Sequence, residues 1–169
     1  ASRSGTGSFS DTHKVLAFLR ALDAAFLQHR RRYLLPGIRE LHQEPPPFRI
    51  LDCACGDLKW MAPWLEIKGN KVDYTGLDIS MRVVKAAQSK ITMSHRRRIF
   101  CCDISTPGRL RQALTEDPAN GPQRLPISLF ADLVLSKDTL NHMSPALALQ
   151  AIDNFTEVAP LAPLITNDH

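Results

Sequence analysis

Hydrophobic positions along the chain switch between two spacings. Val15, Phe18, Leu19, Leu22, Phe26 and Leu27 recur every three to four residues, which predicts a helix over 11–33 with Ser10 or Asp11 as its cap. Pro45-Pro46-Pro47 then interrupts, a run that neither a helix interior nor a central strand accepts. A short apolar burst follows from Phe48 to Leu51, ends on Asp52, and gives way to the small residues Cys53, Ala54, Cys55 and Gly56. Helical spacing returns at Leu58, Met61 and Leu65 and stops at Gly69-Asn70. The alternation repeats downstream. Strands are predicted over 71–78, 97–103, 129–136 and 162–166, and the 129–136 strand, the most apolar, is expected at the centre of a sheet. Helices are predicted over 81–91, capped by Ser80 with Val83, Val84, Ala87 and Ile91 inside, over 109–114, and from the Ser144-Pro145 cap onward, burying Leu149, Ile152 and Phe155. The polar stretch 106–128 exceeds most connections in compact domains and reads as an insertion or long loop.

Strand and helix alternating five times is the signature of an α/β fold. Right-handed crossovers make the sheet parallel, so the prediction is a Rossmann-like doubly wound sheet of order 3-2-1-4-5 flanked by helices. The 169 residues suit a single domain, with 1–47 as leader and N-terminal helix and 48–169 as the core.

Composition narrows the classes. With 44% hydrophobic and 22% charged residues the chain is ordinary for a globular protein. No apolar run approaches the ~20 residues that span a bilayer, and Ala1 to Ser10 holds no signal-peptide core. No membrane association and a cytoplasmic location are expected, with an organelle address left open because the sequence opens without Met. The cysteines fall as Cys53/Cys55 and Cys101/Cys102. In the predicted order a whole strand separates these pairs by roughly 10 Å, too far for Zn–S bonds of about 2.3 Å, so buried thiols rather than a metal are expected. The net charge of +4 includes the triplets Arg30-Arg31-Arg32 and Arg96-Arg97-Arg98, which suit either an anionic partner or solvated element ends.

The chemistry concentrates where the first strand turns. Dinucleotide binding needs G-x-G-x-x-G, and beside Gly56 the place of the first glycine is taken by Ala54. What remains, L-D-C-A-C-G-D, resembles the first motif of class I S-adenosylmethionine-dependent methyltransferases. Asp78, 26 residues after Asp52, and Asp103 end the next two strands. The resemblance implies a role for each carboxylate. Asp52 and the Cys53-Ala54-Cys55-Gly56 turn would face the ligand's amino-acid end. Asp78 would accept from both ribose hydroxyls, flanked by Ile79, and Asp103 from the adenine amino group, with Ile104 against the ring. Singly, each Asp is equally a strand-end or helix-capping residue.

S-R-S-G-T-G-S (Ser2 to Ser8), the C-G-D-L-K-W-M run ending at Met61, Y-T-G-L-D-I (Tyr74 to Ile79) and S-K-D-T-L-N-H-M-S (Ser136 to Ser144) together look like a poorly characterised branch of these methyltransferases. In this branch an S-R-S-G-x-G-S leader precedes a C-G-D-x-x-W-M first motif and an R-D-x-x-x-H-L fourth motif. Lys137 stands here for the arginine, and the predicted strands stop two short of the family's full sheet. The resemblance implies that Arg3 and Trp60 border the cofactor and that Ser136 and Lys137 pass beneath its sulfonium. Asp138 or His142 would orient or deprotonate the acceptor, His being the side chain that titrates nearest neutrality. The expected activity is methyl transfer from S-adenosylmethionine, giving S-adenosylhomocysteine, to a small molecule, with a protein or RNA group as less favoured acceptors. The alternative is a catalytically silent module that binds S-adenosylmethionine or a partner.

Overall fold

The computed structural model describes residues 12–35, 44–117, 121–122 and 131–166. The chain forms two compact units, Ala1–Pro45 and Pro46–His169, which divide inside the proline run. The first unit holds α1, Thr12–Arg32, where Phe18, Leu22 and Phe26 are buried at four-residue steps, as the apolar stripe requires. Its last turn carries His29, Arg30, Arg31 and Arg32, at the end where the helix dipole favours positive charge. Ser10 and Asp11, the expected caps, lie outside the described residues.

The second unit is built on five parallel strands: β1 (Phe48–Cys53), β2 (Val72–Asp78), β3 (Arg97–Cys101), β4 (Leu133–Ser136) and β5 (Leu164–Thr166). They lie in the order β3-β2-β1-β4-β5, the 3-2-1-4-5 arrangement of a Rossmann-like doubly wound sheet. The centre is β1; β4, expected there, sits one place away between β1 and β5, with all four residues buried. Helices α2 (Met61–Lys68), α3 (Met81–Gln88), α4 (Arg109–Thr115) and α5 (Pro145–Val158) join the strands. A ribbon of Glu116–Asp117 and Gly121–Pro122 lies in the long predicted loop.

One face of the sheet packs Leu51, Cys53, Leu77 and Val134 against Leu110 and Leu114 of α4 and Ala151, Phe155 and Val158 of α5. Each such large side chain contributes roughly 1.5–3 kcal/mol on burial. The phase of α5 differs from expectation. Leu149 is 63% and Ile152 36% exposed, whereas Ala151, Asn154, Phe155 and Val158 are buried. The reason is polar: Asn154 Nδ2 donates to the carbonyls of Ile104 at 2.8 Å and Thr106 at 3.3 Å, locking that face of the helix inward. Ser144 caps α5 as expected, its Oγ accepting from the Leu147 amide at 3.4 Å, whereas Ser80 makes no side-chain cap on α3. No described helix is long and apolar enough to cross a membrane.

Candidate functional site

In a doubly wound sheet the winding direction reverses between the first strand and the one added on its other side, here β1 and β4. The crevice beyond their carboxyl ends is where the sequence gathers its polar residues. Asp52, near the end of β1, lies level with Gly76 on β2 and Leu135 on β4. Its carboxyl is 1% exposed. Oδ2 accepts from the Tyr74 hydroxyl at 2.6 Å, while Oδ1, equally buried, has no partner among the described residues. Burial raises the Asp52 pKa from 3.8 to about 7. The Tyr74 hydrogen bond and the Lys137 charge pull it back down, and Asp78 adds to the rise.

The turn after β1 keeps the dihedral pattern of a glycine-rich loop without most of its glycines. Ala54, Gly56 and Leu58 have φ of 65°, 60° and 58°. Ala54 and Gly56 are the first two fingerprint positions and Leu58 falls one short of the third; at Ala54 and Leu58 left-handed backbone costs roughly 1–2 kcal/mol each. Two bonds hold the turn against β2 and a third ties it to the segment after α3. Cys55 donates its amide to the Leu77 carbonyl at 2.8 Å, and Gly56 donates to Asp78 Oδ2 at 3.2 Å. Lys90 Nζ reaches the Asp57 carbonyl at 2.7 Å. Gly76 makes the close approach feasible, because a Cβ there would lie 3.0 Å from Cys55 Sγ and from the Tyr74 ring. The expectation that a helix opens directly from this turn is corrected. Leu58 is buried in the turn, α2 begins only at Met61, and Trp60, half-buried, precedes it without a side-chain cap. The amides available to a ligand are therefore those of the turn.

Asp78 ends β2 with both oxygens bonded to backbone, Oδ2 to Gly56 and Oδ1 to the Ser80 amide at 2.9 Å. Ile79 beside it is 69% exposed. Asp103 stands two residues beyond β3 rather than on its last residue; the Cys102 amide, just before it, donates to the Asp78 carbonyl at 2.9 Å. Its carboxylate accepts from the Ser105 amide and hydroxyl at 2.9 and 2.7 Å and from Thr106 Oγ1 at 2.9 Å, and these Ser105 bonds lower its pKa. Ile104 does not offer a face to a ring. It is 4% exposed and joins the cluster beneath α4 and α5. A cleft of about 280 Å³ opens at this edge between Met81, Cys101, Cys102 and Arg109.

At the end of β4, Ser136 is fully buried and its Oγ lacks a partner among the described residues. Lys137 pairs with Asp138, which turns the chain through φ of 54°. His142, exposed, closes the 3-10 turn Leu140–His142. Arg3 lies outside the described residues. The structure thus gathers Asp52, the 53–56 turn, Asp78 and Lys137 along one edge, continues it to Asp103, and assigns Ile104 to the core. Tyr74, which pairs with Asp52, escaped the sequence reading. Its signal was register: opposite Ile50 on β2, it shares a sheet face with Asp52 two residues on.

The cysteines are all free thiols, with Cys53, Cys55 and Cys102 buried and Cys101 exposed. Among the described residues no group of three His, Cys, Asp or Glu is placed to hold a metal. The second arginine triplet bonds within the fold. Arg97 donates to the carbonyls of Leu65 and Gly69 at 2.7 and 3.0 Å, Arg96 to that of Asn70 at 3.0 Å, and Arg98 to Thr75 Oγ1 at 3.3 Å.

No family model matches the chain, and no curated protein does. Solved structures do. The CMeT domain of the citrinin polyketide synthase superposes with a TM-score of 0.51 at 19% identity, covering 71% of this chain and 28% of that one. The CurJ carbon methyltransferase gives 0.52 at 15%, covering 72% and 29%. An S-adenosylmethionine-dependent methyltransferase from Mesorhizobium loti gives 0.49 at 18%, covering 78% and 51%. Likeness to the first two establishes the fold, and this chain spans under a third of their length and about half of the third structure's.

Proposed function

We propose that this chain binds S-adenosylmethionine across the carboxyl edge of its sheet and transfers the methyl group to a small-molecule acceptor. The observation that carries the reading is the unpartnered, buried Oδ1 of Asp52 beneath a turn of small residues. A buried carboxylate oxygen without a partner costs roughly 1–3 kcal/mol, so the position suits a ligand cation. The donor set fits the rest of the molecule. Cys53 to Gly56 and Asp52 would hold the amino-acid end, Asp78 the ribose, Asp103 the adenine amino group, and Ser136 and Lys137 the floor under the sulfur. Trp60 and Arg3 are assigned to the cofactor's border on the resemblance alone.

When bound, the cofactor supplies a methyl group already activated on a sulfonium, so the chain's own task is positioning and, for some acceptors, proton removal. His142 is the stronger base candidate, because Asp138 is already engaged by Lys137. That engagement is also what favours the second reading, a module that binds the cofactor without turnover.

Titration calorimetry with S-adenosylmethionine, and with NADH as the competing class, tests the binding claim; a preference for NADH or no heat with either overturns it. A methyl-transfer assay across an acceptor panel then separates enzyme from silent module. His142→Ala is expected to reduce turnover more than cofactor affinity.

A further inference from the structure

Asp52 is closed to solvent on all sides but one chemical opportunity. Tyr74 occupies one carboxyl oxygen at 2.6 Å, and the other faces no donor among the described residues. The groups around it come from three places. Cys53 and Cys55 belong to β1 and its turn, Tyr74 and Asp78 to β2, and Lys137 to the segment after β4. Burial pushes both thiols and the Tyr74 hydroxyl upward, so they stay neutral across the physiological range. The charges that act on Asp52 are thus one like, Asp78, and one opposite, Lys137.

We propose that Asp52 and Tyr74 form a proton-for-cation exchange site, in which the ammonium of an incoming amino-acid ligand replaces a proton held on the buried carboxyl. This deepens the methyl-donor reading and rests on it. In the exchange the Asp52 O–H bond breaks and its proton leaves to buffer. The carboxylate left behind pairs with the ligand's ammonium while keeping the Tyr74 hydrogen bond. Tyr74 acts as a positioning residue: it donates to Oδ2, which leaves Oδ1 for the newcomer and sets how readily the proton is given up. A ligand without the ammonium, such as 5′-methylthioadenosine, would leave the proton in place. With the Asp52 carboxyl titrating at about 7, free protein at pH 6 carries that proton in most molecules.

The test is calorimetry of the whole chain with S-adenosylhomocysteine in buffers of different ionisation enthalpy. At pH 6 about 0.9 proton should be released per ligand, and apparent affinity should fall about tenfold for each pH unit below the Asp52 pKa. Near pH 8 the ligand's own amine begins to contribute uptake, so the sign at pH 6 is diagnostic. Asp52→Asn should abolish the release and flatten the pH profile. Tyr74→Phe removes a bond that lowers the carboxyl's pKa, so it should move the affinity profile to higher pH, a shift that a merely structural role would not cause; it also preserves the test should Asp52→Asn fold poorly. Binding without proton release at pH 6, or release undiminished in Asp52→Asn, overturns the exchange and leaves the cofactor reading standing. No binding in any buffer overturns both.

Discussion

Asp52 is a carboxyl group that folding removes from water and then half satisfies. Its pKa rises from 3.8 in the open chain to about 7 in the fold, so between those values the native state keeps a proton that the unfolded state has lost. The sign follows. Below about pH 4 both states are protonated and nothing is lost; stability declines as pH climbs from about 4 to 7 and levels off above, by on the order of 4 kcal/mol in full. Asp57, where burial is outweighed by the hydrogen bonds and charges of Lys90 and Lys59 together, and Asp103, lowered by its Ser105 hydrogen bonds, act oppositely and lose their contribution only as pH drops below the ordinary carboxylate range. Asp52→Asn is therefore expected to be more stable than the parent at pH 8 and about equal at pH 4, measured by urea unfolding at both. Gly76 carries the other residue-scale expectation. A methyl group placed 3.0 Å from Cys55 Sγ and the Tyr74 ring must push the turn away from β2. Gly76→Ala should lower stability by roughly 1–3 kcal/mol and weaken cofactor binding with it.

Elements were legible where one physical signal decided them. The 3.6-residue stripe of α1, the two-spacing alternation and the strand-end acids gave four of five strands to within two residues, because apolar periodicity alone fixes which face is buried. For β4, residues 129–130 lie outside the described set and the strand itself starts at Leu133. The reading failed where a polar contact set the geometry. Hydrophobicity favoured Leu149 and Ile152 as the inner face of α5, but a buried Asn154 bridging to two carbonyls outweighs them. It failed again at the corner, where Leu58 bends left-handed and postpones α2 to Met61. The arginine triplet belongs here too. Charge counting suggests a partner surface, yet Arg97 donates to the Leu65 carbonyl, which also accepts from the Gly69 amide, and to the Gly69 carbonyl, tying β3 to the end of α2. Arg97→Leu should destabilise the fold by about 1–3 kcal/mol in chemical unfolding while leaving binding of any anionic polymer unchanged.

At the scale of the whole molecule, the shared architecture does not select a chemistry, since doubly wound sheets host many. What would distinguish this one is whether segments far apart in sequence respond together. The turn 53–58 follows β1, 78–80 follows β2, 102–106 follows β3 and 136–142 follows β4, and only the carboxyl edge of the sheet brings them within reach of one ligand. Amides at such loops exchange through local openings far cheaper than global unfolding, so a ligand bridging them raises their protection selectively. Saturation at a hundred times Kd stabilises the bound state by about 2.7 kcal/mol, close to a hundredfold slowing for amides whose opening releases the ligand. Hydrogen exchange with S-adenosylhomocysteine is therefore expected to slow all four segments at once, along with core amides that open only by global unfolding, while amides of α5 that open locally without releasing the ligand stay unchanged. Protection confined to the 136–142 loop would place the ligand on the acceptor side alone and remove Asp78 and Asp103 from the site.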